Sequence, residues 1–196
     1  MPDRVFAAIE PGVAARALAT DAAAAFRGAD TSWAGEKFVA SAPLHVTLSF
    51  FGAVPDPELP ELLSKLTNLC AATSPFSLRL DHLRCVPSAR RAAMLWLSLT
   101  GDTGDAAALA AGIAESAGIS VDARGFRPHM TIARARRPRP VSQDAAAAAD
   151  SALSAPGREA DRIVSVPTVT VFASTLGPAG PTYECLAVLP LAGGRG

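Results

Sequence analysis

The chain has 196 residues, with 18 basic side chains balanced by 18 acidic ones, so no global field recruits a polyanion and any affinity for nucleic acid must come from local patches. Its length suffices for one substantial core or two small lobes. No stretch of about 18 apolar residues offers a membrane span, and the opening Met1-Pro2-Asp3-Arg4-Val5 lacks the basic-then-apolar layout of a secretory leader, so a cytoplasmic location is expected.

In chain order, Arg4 to Ile9 predicts a strand closed by Pro11-Gly12. Val13 to Phe26 predicts an alanine-rich helix, with Gly28 as its stop. A polar segment leads to a short extended piece around Phe38 and Val39, and a strand over Leu44 to Phe50 ends at Gly52. A helix beginning near Asp56, with Pro57 in its first turn, carries Leu59, Leu62, Leu63, Leu66, Leu69 and Cys70 on one face, a stripe suited to covering a sheet. Phe76 to Leu80 and Ala93 to Leu99 predict strands around a turn at Pro87 to Arg91. Asp102 to Gly118 is helical, capped by Asp102 or Thr103 and ended by Gly118. A strand at Pro128 to Ala133 runs into the basic cluster Arg134 to Pro140, and Ser142 to Ala152 predicts a short helix. Ile163 to Val171 and Tyr183 to Leu189 are strands joined by a turn at Gly177 to Pro181, and the tail after Leu191 is expected to be disordered. Helices and strands in this order, with hairpins and without regular βαβ units or a Gly-x-Gly-x-x-Gly fingerprint, give the class α+β.

Two of those strands carry one pattern twice. Leu44-His45-Val46-Thr47-Leu48 and Pro128-His129-Met130-Thr131-Ile132 both read His, apolar, Thr, apolar, 84 positions apart (129 − 45), and two of the chain's three histidines belong to them. Alternation sets His45 with Thr47, and His129 with Thr131, on the face opposite Val46, Leu48, Met130 and Ile132. One such strand is ordinary; the repetition marks a shared functional site. The third histidine, His82, falls outside both copies and is read as structural.

The paired pattern resembles the 2H phosphoesterase superfamily, specifically the RNA 2′,3′-cyclic phosphodiesterases once named 2′-5′ RNA ligases. Val5 to Ile9 is similar to that family's opening strand, Phe50-Phe51-Gly52 follows the first motif as it does there, and Phe126-x-Pro128-His129, Arg134 and the strand over Val169 to Ser174 extend the likeness over nearly the whole chain. The resemblance implies a single bilobal domain over 1–196: two pseudo-symmetric lobes, each an antiparallel sheet backed by helices, with one motif each facing a central cleft. It also implies His45 as proton donor, His129 as proton acceptor, Thr47 and Thr131 on the phosphate and Arg134 as a further phosphate ligand.

The residues themselves support acid–base chemistry without deciding which histidine does what. An imidazole with an unperturbed pKa of about 6.5 has both forms accessible near neutrality. Hydrolysis of a phosphodiester needs one group to take water's proton and another to protonate the departing oxygen. Threonine hydroxyls can donate to non-bridging oxygens. Strict alternation puts Arg134 on the Met130 face, so it reaches the site only where the strand twists, bulges or ends. Arg136, Arg137 and Arg139 read as a solvated loop helping to hold an RNA backbone. The resemblance sets Phe6 and Phe50 near the substrate, where a base could stack on one, while core packing is the preferred reading for both.

No His-Glu-x-x-His or clustered Cys/His spacing occurs, so neither a metal nor another cofactor is expected. Cys70, Cys85 and Cys185 read as isolated, buried, reduced thiols. The expected activity is therefore metal-independent opening of 2′,3′-cyclic phosphate ends of RNA to 2′-phosphomonoesters by a monomer, with weak reverse 2′-5′ ligation. The expected partners are RNA ends or cyclic-phosphate nucleotides and no membrane. The alternatives are a phosphodiesterase for another cyclic or nicotinamide-linked substrate, or an RNA-binding module without turnover.

Overall fold

A computed structural model describes residues 4–120, 125–177 and 180–194. Its regular elements are β1 (Arg4–Ile9), α1 (Val13–Ala29), β2 (Lys37–Phe38), β3 (Val46–Gly52), α2 (Leu59–Ala72), β4 (Phe76–Val86), β5 (Ala92–Gly101), α3 (Thr103–Ser116), β6 (His129–Arg139), α4 (Gln143–Leu153), β7 (Ile163–Val166), β8 (Thr168–Gly177) and β9 (Gly180–Pro190). The class is α+β, and the strands form one antiparallel sheet in the order β7-β4-β5-β6-β3-β1-β8-β9, with β2 added on β6. Helices α2 and α3 back the half containing β3, β1, β8 and β9, and α1 and α4 back the half containing β6, β5, β4 and β7. The two expected lobes are therefore present, and their sheets join edge to edge at β3 and β6.

The repeat seen in the motifs extends to the elements. The succession β1-α1-β3-α2 recurs as β5-α3-β6-α4, and α2 and α4 begin 84 positions apart (143 − 59), the same offset as the histidines. Only Pro167 separates β7 at one end of the strand order from β8 near the other, so the sheet must curl until its ends meet. Sequence alone predicts one strand over Ile163 to Val171. Proline breaks it, having no N–H for the ladder and a fixed φ, and the chain crosses from one half to the other there.

Helix α1 forms because Ala15, Leu18, Ala19, Ala22, Ala23 and Phe26 recur at three- and four-residue spacing and are all buried. It runs through Gly28 to Ala29 rather than stopping at the glycine. Helix α4 starts where Ser142 accepts a hydrogen bond from the Ala145 backbone N–H, and it buries Ala145, Ala149 and Leu153. Small side chains on both let α1 and α4 pack closely. Helix α2 begins at Leu59, later than Asp56, with Pro60 in its first turn, and its Leu62, Leu66 and Cys70 lie in the core as the stripe requires. Asp102 stands at the start of α3, but its carboxylate accepts from the Ser77 N–H (3.0 Å) instead of capping the helix. Gly118, at φ +67°, closes α3 in the left-handed conformation.

The tail is not free where it was expected to be. Ala192 N–H donates to the Cys70 carbonyl and Gly193 N–H to the Thr73 carbonyl, tying residues 192–193 to the end of α2. A Cβ on Gly193 would lie 2.6 Å from the Ala72 carbonyl oxygen, so only glycine fits that approach. Residues 178–179 of the expected turn and 195–196 of the tail lie outside the described residues, as do 1–3.

Ala149 is fully buried between α4 and its neighbours. Ala149→Leu is expected to destabilise the protein by about 1–3 kcal/mol through overpacking, read as a lower denaturation midpoint in urea. An unchanged midpoint would mean that the α1–α4 contact is loosely packed.

Candidate active site

The site forms where the two halves of the sheet meet. Strands β3 and β6 are joined through the antiparallel pair Val46↔Met130. An antiparallel register point relates its two strands by a local twofold. Counting one residue outward sets His45 beside Thr131 and Thr47 beside His129, all on one face. Val46, Leu48, Met130 and Ile132 are buried on the other face, while the four polar side chains are half-buried. The duplicated pattern is thus one constellation.

Each imidazole is held by the same local device. His45 Nδ1 lies 2.7 Å from the Pro43 carbonyl oxygen and His129 Nδ1 lies 2.8 Å from that of Arg127, in both cases two residues back. A carbonyl only accepts, so each Nδ1 carries the proton and each Nε2 is left as the basic nitrogen. Both histidines are shifted below the ordinary imidazole pKa. Burial is the main cause, the Nδ1 hydrogen bond opposes it, and the nearby Arg134 cation lowers both further. His45 also feels the charges of His129 and of Arg16, whose Nη2 pairs with Glu10 (2.9 Å) at the start of α1. The free protein therefore favours two neutral rings.

A β-bulge brings Arg134 to this face. In the β5–β6 ladder Trp96 pairs with Thr131 and Leu95 with Ala133, so Ile132 is the extra residue. Burial shows the phase slip: Ile132 and Ala133 are buried in succession and Arg134 is exposed. The alternation that would have turned Arg134 away is reset by one residue, and its charge acts on His45, His129 and Tyr183. The same slip occurs in β3, where Ala8 pairs with Thr47 and Ala7 with Ser49, leaving Leu48 extra. Phe50 is thereby turned off the core face on which alternation would place it, and it is 59 % exposed.

Aromatic rings surround the histidines. Phe6, itself buried, lies 5.1 Å from the His45 ring, 5.6 Å from Phe50 and 5.3 Å from Phe172, and Tyr183 stands edge-on to His45 at 5.5 Å. Trp96 stacks on His129 at 3.7 Å. Sequence reasoning missed Trp96, Tyr183, Phe172 and Arg16, which reach the site from other strands or from α1. The one available signal was parity: Trp96 and Ser98 alternate with the buried Leu95, Leu97 and Leu99 and so belong to the open face.

Several sequence-based readings change. Arg136, Arg137 and Arg139 are part of strand β6 and not of a loop; Arg139 pairs with Glu36 (2.5 Å) and lies over the Trp33 ring, and Glu36 also accepts from the Arg136 backbone N–H (2.7 Å). Of the cysteines only Cys70 is buried, where burial raises its thiol to about 11; Cys85 is half-buried and Cys185 exposed. His82 is held by Asp81 (2.5 Å) and Ser98 (3.1 Å) and lies two strands from His129, with Ser98 of β5 between them. Among the described residues no three His, Cys, Asp or Glu side chains converge as a metal site.

Because the guanidinium of Arg134 disfavours both imidazolium forms, Arg134→Gln is expected to raise the pKa of His45 and of His129 together, measured by NMR titration of the ring protons. Unmoved titrations would place Arg134 away from the site.

The sequence model of the 2′-5′ RNA ligase superfamily matches residues 11–165. An RNA 2′,3′-cyclic phosphodiesterase of Geobacillus stearothermophilus is 29% identical over 152 residues, covering 76% of this chain and 46% of that protein, so the chain spans about half the length of this relative. The structure of TT0787 from Thermus thermophilus superposes with a TM-score of 0.74 at 26% identity, over 98% of this chain and 100% of that one. That of LigT from E. coli complexed with 3′-AMP superposes with a TM-score of 0.67 at 22% identity, over 97% and 98%. A family match over most of its length, on a fold shared end to end with TT0787, makes this chain a member of the 2′-5′ RNA ligase superfamily of 2H phosphoesterases.

Proposed function

We propose that the chain is a phosphodiesterase that opens 2′,3′-cyclic phosphates at RNA ends or on nucleotides. The observation that carries the reading is the pair of imidazoles at the antiparallel β3–β6 junction, His45 just before β3 and His129 at the start of β6, each with Nδ1 tied to a carbonyl and Nε2 left for chemistry. His129 Nε2 takes a proton from water, and the water oxygen attacks phosphorus in line with the departing ribose oxygen. The P–O3′ bond breaks, and Nε2–H of protonated His45 delivers its proton to O3′, leaving a 2′-phosphate and a free 3′-hydroxyl. Thr47 and Thr131 donate to the non-bridging oxygens, and Arg134 offsets the charge they share. The assignment of acid and base follows the family resemblance, as does the choice of O3′. A 5′-hydroxyl in place of water would carry the same step forward, breaking P–O3′, protonating O3′ and joining O5′ to phosphorus as a 2′-5′ linkage. The similarity to a cyclic phosphodiesterase and to a protein that holds 3′-AMP supports a nucleoside phosphate as the ligand class.

The acid must be protonated although the free protein favours neutral rings. A bound phosphate anion supplies the compensating charge and raises both imidazole pKa values. The kcat/KM profile, which reports the free protein, is expected to be bell-shaped and centred below about pH 6.5, with the kcat optimum at higher pH. Its limbs belong to the coupled pair. His45→Ala and His129→Ala should each lower kcat by at least about 10²-fold, whereas His82→Ala should change it little. A profile without an acid-side maximum, or an equal loss in folded His82→Ala, would misplace the chemistry.

Digestion of a 2′,3′-cyclic nucleotide and of a short RNA with a cyclic end, in EDTA, is expected to yield 2′-phosphate, resolved from 3′-phosphate by chromatography. Binding without any product would point to an RNA-binding module. Turnover restored only by a divalent ion would remove the metal-free mechanism, and a 3′-phosphate product would reverse the orientation of the ribose.

A further inference from the structure

The local twofold makes His45 and His129 equivalent in backbone, but not in their neighbours. Thr47 pairs with Ala8 and Thr131 pairs with Trp96, so the equivalent cross-strand positions hold a methyl group in one half and an indole in the other. The Trp96 and His129 rings lie nearly parallel, 22° apart, with centroids 3.7 Å apart. Among the described residues, the rings around His45 are the tilted Phe6 and the edge of Tyr183. The Trp96 Nε1–H is buried with no acceptor among the described residues. A hydrogen bond therefore does not account for an indole at this position, and an apolar ring would fill the space without stranding a donor.

An indole face is electron-rich and attracts a cation lying against it. The other charges facing His129 oppose one: Arg134 from its own strand and His45 from β3 when protonated. From β5 it meets the neutral Ser98, which is bonded to His82 of β4 beside Asp81. The Arg127 carbonyl fixes one edge of the ring, and the indole fixes its plane.

We propose that Trp96 is a positioning residue for His129: it sets the plane of the imidazole and stabilises the cation formed when His129 takes the proton, which strengthens His129 as the proton acceptor in hydrolysis. The assignment of a base rests on the phosphodiesterase reading; the stack and its effect on the imidazolium do not.

Trp33 is the other tryptophan, so Trp33→Phe leaves Trp96 as the sole indole emitter. Its emission is expected to fall on acidification with the midpoint at which NMR shows His129 to titrate, because a stacked imidazolium quenches indole fluorescence. The pH-dependent change should disappear in W33F/H129Q. In the otherwise native protein, Trp96→Leu should lower the pKa of His129, change that of His45 less and only through their mutual charge, displace the kcat/KM profile of the coupled pair, and reduce kcat by about three- to tenfold, the size of a partly desolvated cation–π contact. Trp96→Phe, the milder change in volume, should retain part of each effect and serves if the leucine variant fails to fold. An emission that ignores His129, or equal shifts of both histidines, would overturn the proposal. The fluorescence and NMR measurements need no turnover: if they hold and no cyclic phosphate is opened, the stack stands and the phosphodiesterase reading falls.

Discussion

The site depends on one antiparallel register point, Val46 opposite Met130. It joins the two halves of the sheet, and its local twofold turns two distant copies of a four-residue pattern into one facing set of two histidines and two threonines. Both residues of the pair are fully buried, so the contact that organises the polar face is held by the apolar one. Slipping this register by one residue would send His45 and Thr47 into the core and Val46 and Leu48 into the site. Burial of those apolar side chains thus holds the polar face in register.

The bulges at Leu48 and Ile132 act next. Each inserts one residue into a motif strand at the equivalent place, and each turns the side chain two positions later onto the open face. In one half that side chain is Phe50 and in the other Arg134. The same backbone device therefore presents an apolar ring on one side and a cation on the other. The asymmetry continues in the cross-strand neighbours, Ala8 against Trp96. A symmetric frame with asymmetric side chains suits a reaction in which two imidazoles must be in opposite protonation states.

Electrostatically, the site is prepared for an anion before one arrives. Burial and Arg134 hold both histidines below their ordinary range, so the free face carries the arginine charge and two neutral rings. In a chain of zero net charge this local imbalance, and not a global field, would attract the phosphate of the proposed substrate. A bound anion would stabilise the imidazolium that the proposed proton donation requires, which would couple ligand binding to proton uptake.

The class α+β, the helices and the motif strands are legible in the residues because they rest on local periodicity: the stripe of Leu62, Leu66 and Cys70, the alternation around Val46 and Met130, and the 84-residue repeat of His-x-Thr. What the residues leave open depends on contacts between distant strands. Sequence alone did not place Arg134 or Phe50, since a bulge is a mismatch between two strands and has no signature within one. It did not break the strand at Pro167, whose neighbours belong to opposite ends of a curled sheet. Nor did it bring Trp96, Tyr183 and Arg16 to the histidines. Their roles depend on strand order and on which helix packs where, and these are set by how the whole chain buries its apolar surface.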